Sequence, residues 1–219
     1  MKRTPVLLAA IVLLLSFASL PSQLRAQKFE GTVEFSVTTD ERAVPMTYMI
    51  KGDNIRMEME GRPGMKAVIL FNVKDKKTIT IIEGMKMYME SPVPQAADSA
   101  APKVEFKKTG KSQKILGYDC EEYLITSENH ETSVWVTDKL GSFELYKMGG
   151  GRQRAAVDAW QKEIGSKGGF PLLAVTKTDG KDVATMKVTK IEKKSLDESL
   201  FKIPEGYQKM DTSMMRRPK

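Results

Sequence analysis

The chain has 219 residues, 35 Lys and Arg against 28 Asp and Glu, a formal net charge of +7, 41% hydrophobic residues and a single cysteine. That length suits one domain able to bury a core without disulfides or a structural metal, and one cysteine excludes an internal disulfide framework. Basic residues are scattered among acidic ones, as in Lys51-Gly52-Asp53 and Glu192-Lys193-Lys194. This is a solvated surface, and it lacks the basic strip interleaved with aromatics that a nucleic-acid binder needs.

Residues 1–26 read as a secretory signal peptide. Met1-Lys2-Arg3 is a positive start, Val6 to Leu20 is almost wholly apolar, and Ala26 is a small residue suited to cleavage. The apolar run is shorter than the roughly twenty residues a membrane-spanning helix requires. Cleavage removes Lys2, Arg3 and Arg25 and no acid, leaving 32 basic against 28 acidic residues. A lipid anchor would need a cysteine directly after the apolar run, and the only one is Cys120. The expectation is therefore a periplasmic or secreted protein, soluble after cleavage and not lipid-anchored.

The mature chain opens with period-two alternation. Phe29, Gly31, Val33, Phe35 and Val37 fall on one side of a strand, and Glu30, Thr32, Glu34, Ser36 and Thr38 on the other. Pro45 to Lys51 predicts a second strand ending in the turn Gly52-Asp53-Asn54. Ile55 to Glu60 alternates again, so Ile55, Met57 and Met59 share a face, whereas Asp53, Glu58 and Glu60 read as solvated. After the turn Gly61 to Gly64, Ala67–Phe71 and Thr78–Ile82 flank a polar hairpin connection, and Met85 to Glu90 predicts another strand. Short turns between successive strands imply an antiparallel meander. Residues 91–102, with three prolines and small residues, read as a flexible loop.

Strands resume at Val104–Lys107, Tyr118–Ile125 and Thr132–Thr137, with Gly110-Lys111-Ser112 read as a turn. Gly149-Gly150-Gly151 leads into the one clear amphipathic helix, about 152–164, with Ala156, Val157, Trp160 and Ile164 on one face. Leu172–Thr178 and Val183–Ile191 then flank the hairpin turn Asp179-Gly180. A helical turn over Leu196–Phe201 and an extended Ile203–Tyr207 follow. Residues 209–219, ending Arg216-Arg217-Pro218-Lys219, form a basic tail able to touch an anionic surface or an envelope protein.

The closing stretch, Val188-Thr-Lys-Ile191 followed by Leu196-Asp-Glu-Ser-Leu-Phe201-Lys-Ile-Pro204-Glu-Gly206-Tyr207, resembles a family of secreted bacterial proteins known only as a domain of unknown function. Gly31-Thr-Val-Glu-Phe35, Ile50-Lys-Gly-Asp-Asn-Ile-Arg56, the run from Gly110 to Cys120, and Trp135-Val-Thr137 fit it too. That family is similar to the LolA/LolB lipoprotein carriers. The resemblance implies a mainly β fold with minor α, a curled antiparallel sheet or incomplete β-barrel around a hydrophobic cavity, with a helix as lid. On this reading residues 27–208 form a single half-barrel domain, and the resemblance brings no catalytic residues.

The mature sequence holds thirteen methionines, eight of them between Met46 and Met89. Flexible, polarisable thioethers suit a surface that accommodates varied acyl chains, and a concave apolar site is what lipid binding requires. The same residues would equally fill a core. The expected ligand-binding set is Met57, Met59, Met85, Met87 and Met89 on the wall with Trp135, and Val157 and Trp160 on the lid. Trp135 shares its strand face with Ser133 and Thr137, so an outward position is equally compatible.

Methionine in an exported protein also raises copper, since soft thioethers select Cu(I). Residues i and i+2 on one strand stand about 6.6–7 Å apart, so consecutive methionines cannot share an ion without neighbouring strands. No metal or cofactor is expected. Cys120 has no neighbouring His or CxxC partner to activate it and reads as a small buried hydrophobe. His130, the sole histidine, sits in a polar turn with no nucleophile or zinc motif nearby. The expectation is a non-catalytic binding protein; the alternative is a cell-envelope interaction module without a small ligand.

Overall fold

The period-two segments become strands, and the strands join in one sheet. In the computed structural model the described residues are 29–39, 42–62, 65–75, 77–92, 105–127, 130–141, 143, 164–165 and 167–210. They contain β1 (Gly31–Thr39), β2 (Arg42–Lys51), β3 (Asn54–Arg62), β4 (Met65–Asn72), β5 (Lys77–Ile82) and β6 (Met87–Pro92). The second half contributes β7 (Glu105–Ile115), β8 (Tyr118–Ser127), β9 (His130–Thr137), β10 (Phe170–Thr178), β11 (Lys181–Lys193) and β12 (Gln208–Lys209). The sheet order is β12-β6-β5-β4-β3-β2-β1-β11-β10-β9-β8-β7.

Two antiparallel meanders, β1–β6 and β7–β11, are thus fused through the long-range pairing of β1 with β11, which sets Gly31 opposite Lys193. Tight turns make the meanders possible. At Asp179-Gly180 both residues have positive φ (51° and 75°), the conformation of a two-residue hairpin turn whose twist matches its strands. Gly31 is required for a different reason. A Cβ there would run into the Glu192 carbonyl and meet the Phe29 ring at 2.9 Å, so only glycine lets β11 approach.

The sheet is curled and does not close: among the described residues β7 and β12 each pair on one side only. The aromatic residues record the curl. Tyr48 on β2 and Phe170 on β10 are three strands apart, roughly 14 Å across a flat sheet, yet their rings lie 5.8 Å apart in an edge-to-face contact. Phe143 packs between them, 5.8 Å from Tyr48 and 5.1 Å from Phe170. Around this trio the inner faces of both meanders bury Val33, Phe35, Ile55, Met57, Val134 and Leu172. This is the mainly β, incomplete barrel that the family resemblance implied.

The outer face of the first meander has a second, smaller cluster of Val68, Leu70 and Ile81, against which Tyr88 and Tyr207 pack. Residues 194–210 reach it as a strap. Its path is fixed by Lys51 Nζ donating to the Leu196 carbonyl at 2.6 Å, Arg56 Nη1 to the Leu200 carbonyl at 2.9 Å, and the Leu196 N–H to Glu30 at 2.8 Å. Asp197 accepts from the Ser199 N–H at 2.7 Å and starts the 3-10 turn Glu198–Phe201. The strap ends as β12, a parallel addition to β6.

Several expectations need correction. Met85 is not on a strand: it ends a 3-10 turn, Glu83–Met85, and is 54% exposed. Lys86 takes a left-handed conformation (φ 50°) there, so β6 starts only at Met87. Gly110-Lys111-Ser112 lies inside β7, where Gly110 (φ 82°) accommodates an irregular register opposite β8. Ser91 and Pro92 belong to β6 rather than to the loop, and Lys209 to β12 rather than to the tail. Glu58 is not solvated: its side chain is 15% exposed, 2.6 Å from both Arg56 and Lys66. Asp53 pairs with Lys74. The expected signal peptide, most of the loop and tail, and helix 152–164 except Ile164 lie outside the described residues.

Candidate binding face

The register lines up the methionines. One cross-strand row runs Val33, Tyr48, Met57, Ile69, Thr80, Met89 over β1 to β6, and the next runs Phe35, Met46, Met59, Ala67, Ile82, Met87. Because side chains alternate faces along a strand, both rows stand on the inner face with the core. The described charged residues of β3 to β6, namely Arg56, Glu58, Glu60, Lys66, Lys77 and Glu90, occupy the alternate positions on the outer face. From Met46 to Met89 these two rows hold no charged residue, and Tyr48 and Thr80 bring their only hydroxyls.

Burial divides these rows. Met57 is 2% exposed and belongs to the core beside Tyr48 and Phe35. Met59 and Met46 are half-buried and pack against that core, and Met87 and Met89 are half-buried on β6. The structure therefore gathers Met57, Met59, Met87 and Met89 on one face and leaves Met85 apart. Trp135 is paired with Glu122 and Leu173 and lies between inward-facing Val134 and Val136, so it stands on the outer face. Val157 and Trp160 lie outside the described residues. Met46 was not among the expected wall residues, although its alternation with Tyr48 and Ile50 marks the same face.

The second meander carries polar chemistry of its own. Glu122, 7% exposed, accepts hydrogen bonds from Ser133 Oγ at 2.7 Å and Thr109 Oγ1 at 2.9 Å and pairs with Lys111 at 3.1 Å. Burial works to raise its carboxyl, but these partners outweigh it and hold it below the usual carboxylate range. The arrangement ties the irregular part of β7 to β8 and β9. Nothing in Glu121-Glu122 told which of the two would be buried.

Cys120 is fully buried, and burial raises its thiol pKa, the setting of an unreactive core cysteine. His130 is exposed at the start of β9, with Nδ1 2.7 Å from Thr178 Oγ1.

A cleft of about 550 Å3 opens near the β7 edge. Phe106 and Tyr123 stack at 5.0 Å on its floor, and Lys167 lies 4.6 Å over the Phe106 ring. Its rim charges satisfy one another, as in Lys108–Glu121 at 2.7 Å and Lys139–Asp138 at 3.0 Å. It is separate from the methionine rows.

Three similar solved structures illustrate the likeness. PNGF-II shares 18% identity at a TM-score of 0.48, over 85% of this chain and 32% of that one. MucB in complex with MucA(peri) shares 9% at 0.44, over 81% and 55%. The MucA/MucB complex of Pseudomonas aeruginosa shares 12% at 0.45, over 80% and 54%. This chain thus spans about a third to about half of the length of these structures. No curated protein matches it in sequence. The family model described as Domain of unknown function (DUF4412) matches residues 29–207, from the start of the inner core to the strap tyrosine, and the chain belongs to that family.

Proposed function

We propose that this chain is an exported, non-catalytic binding protein that holds an apolar or lipid-like ligand against the inner face of β2 to β6. The observation that supports this most directly is the half-burial of Met46, Met59, Met87 and Met89 in adjacent rows free of charge. Among the described residues that face offers a charged headgroup no charged partner, whereas an acyl chain meets thioethers, Ile69, Ala67, Ile82 and Thr80. Met57 and Tyr48 form the packed floor beneath it.

Native mass spectrometry of the mature protein, purified without detergent, tests this. Co-purifying lipid is expected, and Met59→Asp with Met87→Asp is expected to abolish it in protein whose circular dichroism is unchanged. These positions are chosen over Met57, whose full burial would make an aspartate unfold the core. A ligand-free protein that also ignores apolar fluorescent probes would overturn the reading in favour of an envelope interaction module. There the open β7 edge or the basic tail would meet the partner.

A further inference from the structure

Within a single strand, Met57 and Met59 offer an ion only two thioethers. Their neighbour across the sheet changes this. Met46 on β2 is the direct partner of Met59 on β3, and directly opposed residues have Cα atoms about 4.5–5.5 Å apart. Met57, two residues before Met59, projects from the same face about 7 Å along the strand. Three thioethers from two adjacent strands thus surround one patch of the inner face. Each methionine has three rotatable bonds, which gives the half-buried Met46 and Met59 the reach to turn their sulfurs toward Met57.

The surroundings select the kind of ion. No carboxylate, imidazole or amine of β2 to β4 stands between Met46 and Ala67 on this face, so a hard or borderline divalent ion has no charged or nitrogen ligand there. Neutral soft sulfur suits a soft monovalent ion. Phe35 on β1, opposite Met46, and Tyr48 on β2, opposite Met57, are 2% and 0% exposed and pack against the patch. Half-burial of Met46 and Met59 leaves it accessible, with Met57 as the inner donor.

We propose that Met46, Met57 and Met59 form a Cu(I) site on the inner face of β2 and β3. The site shares Met46 and Met59 with the acyl face proposed above but needs only their sulfur, which leucine removes.

The experiment titrates Cu(I), kept reduced by ascorbate under argon, into mature protein in competition with a chromophoric Cu(I) chelator. One equivalent is expected to bind. The double variant M46L/M59L is expected to weaken binding by on the order of tenfold or more, and M210L on the strap to leave Cu(I) binding as it was. Methyl resonances of Met46, Met57 and Met59 should shift together on titration. If the double variant does not fold, M46L and M59L singly carry the same expectation. Failure to compete with the chelator, or binding unaffected by these leucines, overturns the proposal. Wild-type protein that binds Cu(I) but purifies without lipid would overturn only the acyl-ligand reading.

Discussion

Arg56 is the residue on which the outer face turns. Its guanidinium is held by Glu58 at 2.6 Å and Glu83 at 3.5 Å and donates to the Leu200 carbonyl of the strap, with a side chain only 10% exposed. A buried cation with a removed partner costs more than an exposed one, because the lost contact is not replaced by water. Glu58→Gln is expected to cost about 1–3 kcal/mol at pH 7 in urea unfolding. Burial works to raise the Glu58 carboxyl, yet Lys66 and Arg56 together hold it below the usual range. A carboxyl lowered in the folded state stabilises the protein above its unfolded pKa, and this is lost as pH falls through roughly 4.3 toward the folded value. The gap between wild type and Glu58→Gln should therefore narrow as pH drops below about 4; a gap constant from pH 7 to pH 3 would contradict the assignment. No local pattern marked this cluster, since Arg56-Met57-Glu58 alternates as any strand with a wet face does. Only the arrival of a strap some 140 residues later made that face dry.

At the scale of elements, the strap is the feature that local patterning described least. Its 3-10 turn and extended stretch were legible at 196–207, but its destination was not. A two-residue parallel strand has no periodicity to read, and its hydrogen bonds, Gln208 N–H to the Lys86 carbonyl at 3.0 Å and Met210 N–H to the Tyr88 carbonyl at 2.7 Å, link distant segments. Tyr207 seals Val68, Leu70 and Ile81 beneath it. Tyr207→Ala is expected to cost about 1–2 kcal/mol, less than a fully buried aromatic because the ring is half-buried. Faster amide exchange should then appear in β12 and β6 while β8 to β10 keep their protection. Uniform acceleration over the whole sheet would show that the strap is not a separate clamp. The strand β6 is a related case: Met85 matched the period-two pattern of Met87 and Met89, but a positive φ at Lys86 broke the strand between them.

For the whole molecule the decisive contact is β1 with β11, which unites the two meanders and lets Phe35 on β1 touch Phe143 at a centroid distance of 6.4 Å. Phe35, 2% exposed, also adjoins Met46 and so supports the methionine rows from behind. Phe35→Ala is expected to cost about 3–5 kcal/mol. Because both meanders share that core, circular dichroism and the fluorescence of Trp135 and Trp160 should report one common shifted transition. Two separated transitions would mean that the meanders fold independently.

The sequence by itself determined the strand character of the chain, the hairpin turn at Asp179-Gly180 and the gathering of Met57 with Met59, and of Met87 with Met89, on single strand faces. These depend on nearest-neighbour stereochemistry: alternation of side chains, and residues that tolerate positive φ. The resemblance carried by short motifs added the curled sheet. Tertiary structure alone decided that Met46 stands opposite Met59, that Trp135 faces outward, that Met57 is floor rather than wall, that Glu58 is half-buried and that Glu122 is buried. Each of these depends on cross-strand register and on which segment covers which face. Such contacts join residues far apart in the chain, and no local pattern encodes their partner.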